Sequence, residues 1–149
     1  FLVAAAVCLV LAVAGYFVEK SLVTDSERVE MALDELWSAA KAGDAEAALN
    51  LISATASDLQ QPVAGAIQRF EVLDDVRLSQ VQVEMKAQNS RAVSSFRANG
   101  AIRDRHSGMT YHGATRCELT WQREADQWRI IRITRLDPFT GEEVSRFSP

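Results

Sequence analysis

Residues 38–53 read SAAKAGDAEAALNLIS, an alanine-rich run broken at Gly43-Asp44. Alanine, leucine and lysine favour helix, so the break needs a cause. Glycine enters the left-handed conformation that closes a helix. Aspartate accepts hydrogen bonds from the free N–H groups that open the next one. The pair therefore predicts a helix stop followed at once by a helix start. Upstream, Thr24-Asp25-Ser26-Glu27 has the T-x-x-E spacing of a capping box. Val29, Leu33, Leu36, Trp37 and Ala40 then fall on one helical face. After the break, Ala45, Ala48, Leu49 and Ile52 form a second, shorter face. The break turns the chain so that both faces can cover one sheet. Val63, Ile67 and Phe70 predict a third short helix, entered through Pro62 as its first residue.

From about residue 76 the period changes from 3.6 to 2. Val81, Val83 and Met85 alternate with polar residues. Ala92, Ser94, Phe96, Ala98, Gly100 and Ile102 share one side of the next strand. Met109, Tyr111, Gly113, Thr115, Cys117, Leu119 and Trp121 share one side of the third, and His112 lies on the other. WQREADQW brackets a hairpin turn near Ala125-Asp126. In the last strand, WRIIRITRL, the doubled Ile130-Ile131 breaks alternation and predicts a bulge. The alternation leaves open which of Arg132 and Arg135 turns inward. Helices first and antiparallel strands second is the α+β class, with helices packed on a curved sheet.

The formal charge is −4, unevenly spread. Residues 19–75 carry 12 acids and 4 bases, and residues 76–149 carry 8 acids and 12 bases. The bases of the second half are interleaved with acids, unlike the one-sign clusters that track phosphates, so no nucleic-acid partner is expected. The two cysteines, Cys8 and Cys117, are not expected to form a disulfide, one lying in an apolar N-terminal run and the other in a distant strand.

That run, FLVAAAVCLVLAVAGYFV, holds no charge across residues 1–18. As a helix it measures about 27 Å, against a hydrocarbon core of about 30 Å. Tyr16 and Phe17 sit at the interfacial end, and Glu19-Lys20 stop the run. We expect a single membrane-spanning helix at 1–18, a linker at 19–23, a folded domain at 24–138 and a tail at 139–149. Ala12-Val13-Ala14 offers the alternative of a cleaved signal peptide, although apolar residues continue to Val18. With few bases on its C-terminal side, the helix is expected to hold the domain on the extracytoplasmic, periplasmic side.

Helices followed by four long antiparallel strands, with the segments ERVEMALDELWSAAKAGDAEAALNLIS and ELTWQREADQWRIIRI, resemble the nuclear transport factor 2-like superfamily, the cystatin-like α+β roll. The resemblance runs over about residues 24–138. VTDSERVE directly after an apolar helix is similar to membrane-anchored, uncharacterised members from planctomycete-type bacteria. The resemblance implies a pocket between helices and sheet, where ketosteroid isomerase-like and polyketide cyclase-like members act. It also implies, from relatives in type IV secretion systems, an anchored assembly domain with a protein partner or a second copy of itself.

Proton-transfer chemistry in such a pocket needs a base and a donor for the developing oxyanion. The tyrosine that the ketosteroid isomerase resemblance places in the first helix is missing here. The inward side of strand 109–121 brings Tyr111, Thr115 and Cys117 but no carboxylate or imidazole. Trp37 and Trp121 have the spacing of core residues and are also the large aromatics nearest an apolar pocket. Trp37, Tyr111, Thr115, Cys117 and Trp121 are thus the candidate ligand-binding residues. Asp104 and His106 have no further His or Cys at ligand spacing, so neither a metal nor a cofactor is expected. These residues favour a membrane-anchored binding or assembly domain, with a small-molecule enzyme or ligand binder as the alternative.

Overall fold

The computed structural model describes residues 24–144. The expected membrane helix at 1–18, the linker at 19–23 and Cys8 lie outside that range. Among the described residues no helix is long and apolar enough to cross a membrane.

Helix α1 spans Asp25–Ala42. Its capping box is formed: the Glu27 N–H donates to Thr24 Oγ1 at 3.2 Å, and the Thr24 N–H donates to Glu27 Oε2 at 2.8 Å. Gly43, at φ 69°, closes the helix in the left-handed region. Asp44 Oδ1 accepts from the Ala47 N–H at 3.0 Å and opens α2, Ala45–Leu49. Helix α3 runs Ser57–Arg69. It starts five residues before Pro62, which lies inside it, not at its entrance. Ala56 makes no side-chain cap but is buried in the core, and Leu59 packs against that core. Burial of Ala56 just before the helix and partial burial of Leu59 override the weak local signal. Phe70, expected in the helix, begins a strand instead.

Strands β1 (Phe70–Val72), β2 (Arg77–Lys86), β3 (Arg91–Asp104), β4 (Thr110–Glu124) and β5 (Gln127–Leu136) form one antiparallel sheet. β3 pairs with β4 along nearly its whole length. Its other edge is shared by β2, opposite residues 91–99, and β1, opposite residues 102–104. The β4–β5 hairpin turns at Ala125 and Asp126, both with positive φ, where the sequence placed it. The ladder slips one residue between Thr120 and Trp121, at the expected bulge: Trp121 faces Ile130, and Thr120 faces Arg132. Beyond β5 the chain doubles back. The Asp137 N–H donates to the Glu142 carbonyl at 2.8 Å and the Val144 N–H to the Arg135 carbonyl at 2.9 Å.

The core joins one half of the sheet to the helices. Val29 and Leu33 of α1, Leu51 and Ile52, and Leu119, Trp121 and Ile130 of the sheet are all buried together. Trp121 is fully enclosed, and its indole N–H donates to the buried Ser94 Oγ at 2.8 Å, which spares the core an unsatisfied donor. The segment after α2 reaches the edge of β5: the Ile130 N–H donates to the Leu51 carbonyl at 2.8 Å and the Ser53 N–H to the Ile130 carbonyl at 2.9 Å.

Where β1 gives way to β2, the 73–76 turn crosses β3 at Gly100. Gly100 has φ 146°, and a Cβ there would lie 2.5 Å from the Val76 Cα. Its ladder partner Gly113 has an ordinary φ and nothing within 4 Å of the corresponding point. Gly100→Ala should therefore destabilise the fold by about 2 kcal/mol or more. Gly113→Ala should change stability by no more than about 1 kcal/mol. Thermal and urea unfolding of the two variants check the contrast, and equal losses would contradict this account of the crossing.

Candidate functional site

The half of the inward sheet face away from the core is open. It holds a cavity of about 440 Å³ whose lining comes from β3, β4, β5 and Val76. No helix contributes to its wall among the described residues, although the family resemblance implied a pocket between helices and sheet. Ala98, Gly100 and Ile102 line it from β3, facing Thr115, Gly113 and Tyr111 of β4 across the ladder. Gly113 leaves bare backbone in the middle, while Val76 packs against its ladder partner Gly100. Tyr111 is 47% exposed at one end, and its hydroxyl lies 3.9 Å from Met109 Sδ.

Arg135 closes the other end, and the bulge explains how. Trp128 and Ile130 point into the core before the slip. The extra residue, Ile131, reverses the alternation, so that Ile133 faces Leu119 and Arg135 faces Cys117. Arg132 is left on the outer side, 3.8 Å from Glu143. The Arg135 Nε–H donates to Thr115 Oγ1 at 3.2 Å. No carboxylate lies within ion-pair distance of Arg135 among the described residues.

Of the five expected ligand residues, Tyr111, Thr115 and Cys117 come together at this cavity. Trp37 and Trp121 do not line it. Trp37 lies half-buried on α1 with Lys41 Nζ 5.7 Å from its ring centre, and Trp121 is enclosed in the core. Arg135 is the site residue that sequence reasoning left undecided, and the doubled isoleucine carried the signal for it. His112 also contributes to the lining, against its expected outward position. It forms no side-chain hydrogen bond among the described residues, so nothing there orients the imidazole.

Burial pushes the Cys117 thiol above its ordinary pKa, while the Thr115 hydroxyl and the positive charge of Arg135 pull the other way. At neutral pH the group is a thiol and a poor nucleophile. The buried acid of the fold, Asp104, lies outside this lining. Its Oδ2 accepts from Arg69 at 2.9 and 3.1 Å, and its Oδ1 accepts from the His106 N–H at 2.9 Å. Arg69, then the His106 N–H, holds its carboxyl below the usual range. It ties the end of α3 to the 105–109 loop and is a structural ion pair. The exposed His106 ring, 4.0 Å from the same carboxylate, adds no metal cluster. No group of three or more metal-binding side chains occurs among the described residues.

No protein-family model matches the chain, and no curated protein does. Solved structures do. A ketosteroid isomerase-like protein from Erwinia carotovora atroseptica is 12% identical, with TM-score 0.63, covering 84% of this chain and all of that one. A nuclear transport factor 2-like protein from Cytophaga hutchinsonii is 14% identical, with TM-score 0.60, covering 76% and 98%. The association domain of C. elegans CaMKII is 13% identical, with TM-score 0.53, covering 72% and 91%. At these identities the likeness is one of fold, and the fold is the nuclear transport factor 2-like one.

The environment of Cys117 predicts its chemistry. In a Cys8→Ser background, alkylation by iodoacetamide should rise with pH through a midpoint above the ordinary thiol value of about 8.5. Arg135→Met should move that midpoint higher still, because a cation that favours the thiolate is removed. A midpoint below the ordinary value would contradict the burial that the cavity geometry implies.

Proposed function

We propose that this chain is a binding domain, held at a membrane by residues 1–18 with its α+β domain on the extracytoplasmic side. Its open sheet cavity is the binding site. One observation carries the reading: the cavity combines apolar walls and bare backbone with a single guanidinium at one end, and no carboxylate lines it. Such a lining recognises and holds. Proton abstraction needs an oriented base, and neither the neutral Cys117 nor the unsupported His112 supplies one. That argues against the isomerase-like and cyclase-like alternative, although ketosteroid isomerase-like proteins share the fold. The fold is also shared by an association domain, which supports a second copy of this chain as a partner alongside a small ligand.

Native mass spectrometry of the full chain released from detergent tests the reading. The expected spectrum shows the chain with a co-purified small molecule, or as an oligomer, or both. A bare monomer at every protein concentration counts against it. A C-terminal alkaline-phosphatase fusion should be active in cells, and an inactive fusion would place the domain on the cytoplasmic side.

A further inference from the structure

The chemistry of the cavity narrows its ligand further, on the premise that the cavity is a binding site. Its only full charge is the Arg135 guanidinium, whose Nε is satisfied by Thr115 while its terminal nitrogens form no ion pair among the described residues. A guanidinium presents its donors as a planar fork that matches a carboxylate. Two residues along β4 from Thr115, Gly113 leaves open space above the sheet, with nothing within 4 Å of where a Cβ would sit. Two residues further stands Tyr111, its ring partly exposed at the opposite end. From Thr115 to Tyr111 is roughly 13 Å along the strand. Ala98 and Ile102 supply apolar flanks across the ladder.

We propose that the cavity binds a small monocarboxylate with a flat apolar body. The carboxylate pairs with Arg135, the body lies over the bare backbone at Gly113, and its far edge meets Tyr111. A flat body fits because Gly113 puts no side chain into the middle of the floor, while Val76, packed against Gly100 across the ladder, walls one side of it. A single negative charge fits because one cation and no anion lines the cavity.

Isothermal titration of the full chain in lipid nanodiscs with 2-naphthoate tests this, with neutral 2-naphthamide as the isostere. The expected result is one naphthoate per chain, with the amide weaker by about tenfold or more. Arg135→Met should cost naphthoate the same factor and leave the amide unchanged. Gly113→Val should fill the floor and abolish naphthoate binding while the melting temperature holds, since the added atoms point into open space. Arg132→Met, on the outer face, should bind as the native chain does. Absence of saturable naphthoate binding overturns the proposal, as does equal affinity for the amide. Unchanged binding by Arg135→Met or Gly113→Val overturns it too. If naphthoate fails while a molecule or second copy still co-purifies with the chain, the carboxylate assignment falls and the binding reading stands.

Discussion

Between Thr120 and Trp121 the β4–β5 ladder loses step by one residue, and both working halves of the sheet face depend on that slip. Before it, Trp128 and Ile130 of β5 enter the core; after it, Ile133 and Arg135 point to the same side. A strand has a side-chain period of two, so one extra residue inverts everything beyond it. Without Ile131 as the extra residue, Arg132 would face inward and Arg135 would lie outside. The slip therefore lets one strand carry an aliphatic core at one end and a lone cation in a cavity at the other.

The helical half is fastened to the same place. Gly43 and Asp44 end one helix and begin another so that residues 51–53 arrive at the edge of β5, where Ile130 exchanges backbone hydrogen bonds with Leu51 and Ser53. The buried Ser53 hydroxyl then donates to Glu124 Oε1 at 2.5 Å, holding the same segment to the end of β4. No helix residue lines the cavity among the described residues. The charge of the cavity is a consequence of the bulge.

Most of the fold was legible in the sequence because its signals are local. Caps, a stop-start dipeptide, alternation and a hairpin turn each depend on a few adjacent residues, and they appear where the chain chemistry puts them except at Val81, expected inward with Val83 and Met85 but left exposed by a register shift of β2 between Ser79 and Gln82. Helix α3 was legible only in part: its start at Ser57 follows from burial of Ala56 and partial burial of Leu59 against distant residues, and Pro62 misdirected the boundary. The short strand β1 and the tight crossing at Gly100 depend on which strand lies alongside, which no local pattern encodes. The site was legible where alternation alone decides, hence Tyr111, Thr115 and Cys117. Trp37 and Trp121 are aromatics at inward positions, but the core claims Trp121 and Trp37 does not line the cavity. The choice between Arg132 and Arg135 needed the position of the slip to within one residue.

Cross-strand cysteine trapping measures that position directly. Residues opposed in an antiparallel ladder have Cα atoms about 4.5–5.5 Å apart, within the range a disulfide spans. In the full chain with Cys8→Ser, Arg135→Cys should form a disulfide with Cys117 on mild oxidation, and Thr134→Cys, which would oppose Cys117 only in a ladder without the slip, should not. A bridge from position 134 to Cys117, with none from 135, would contradict the inverted register and remove the cation from the cavity.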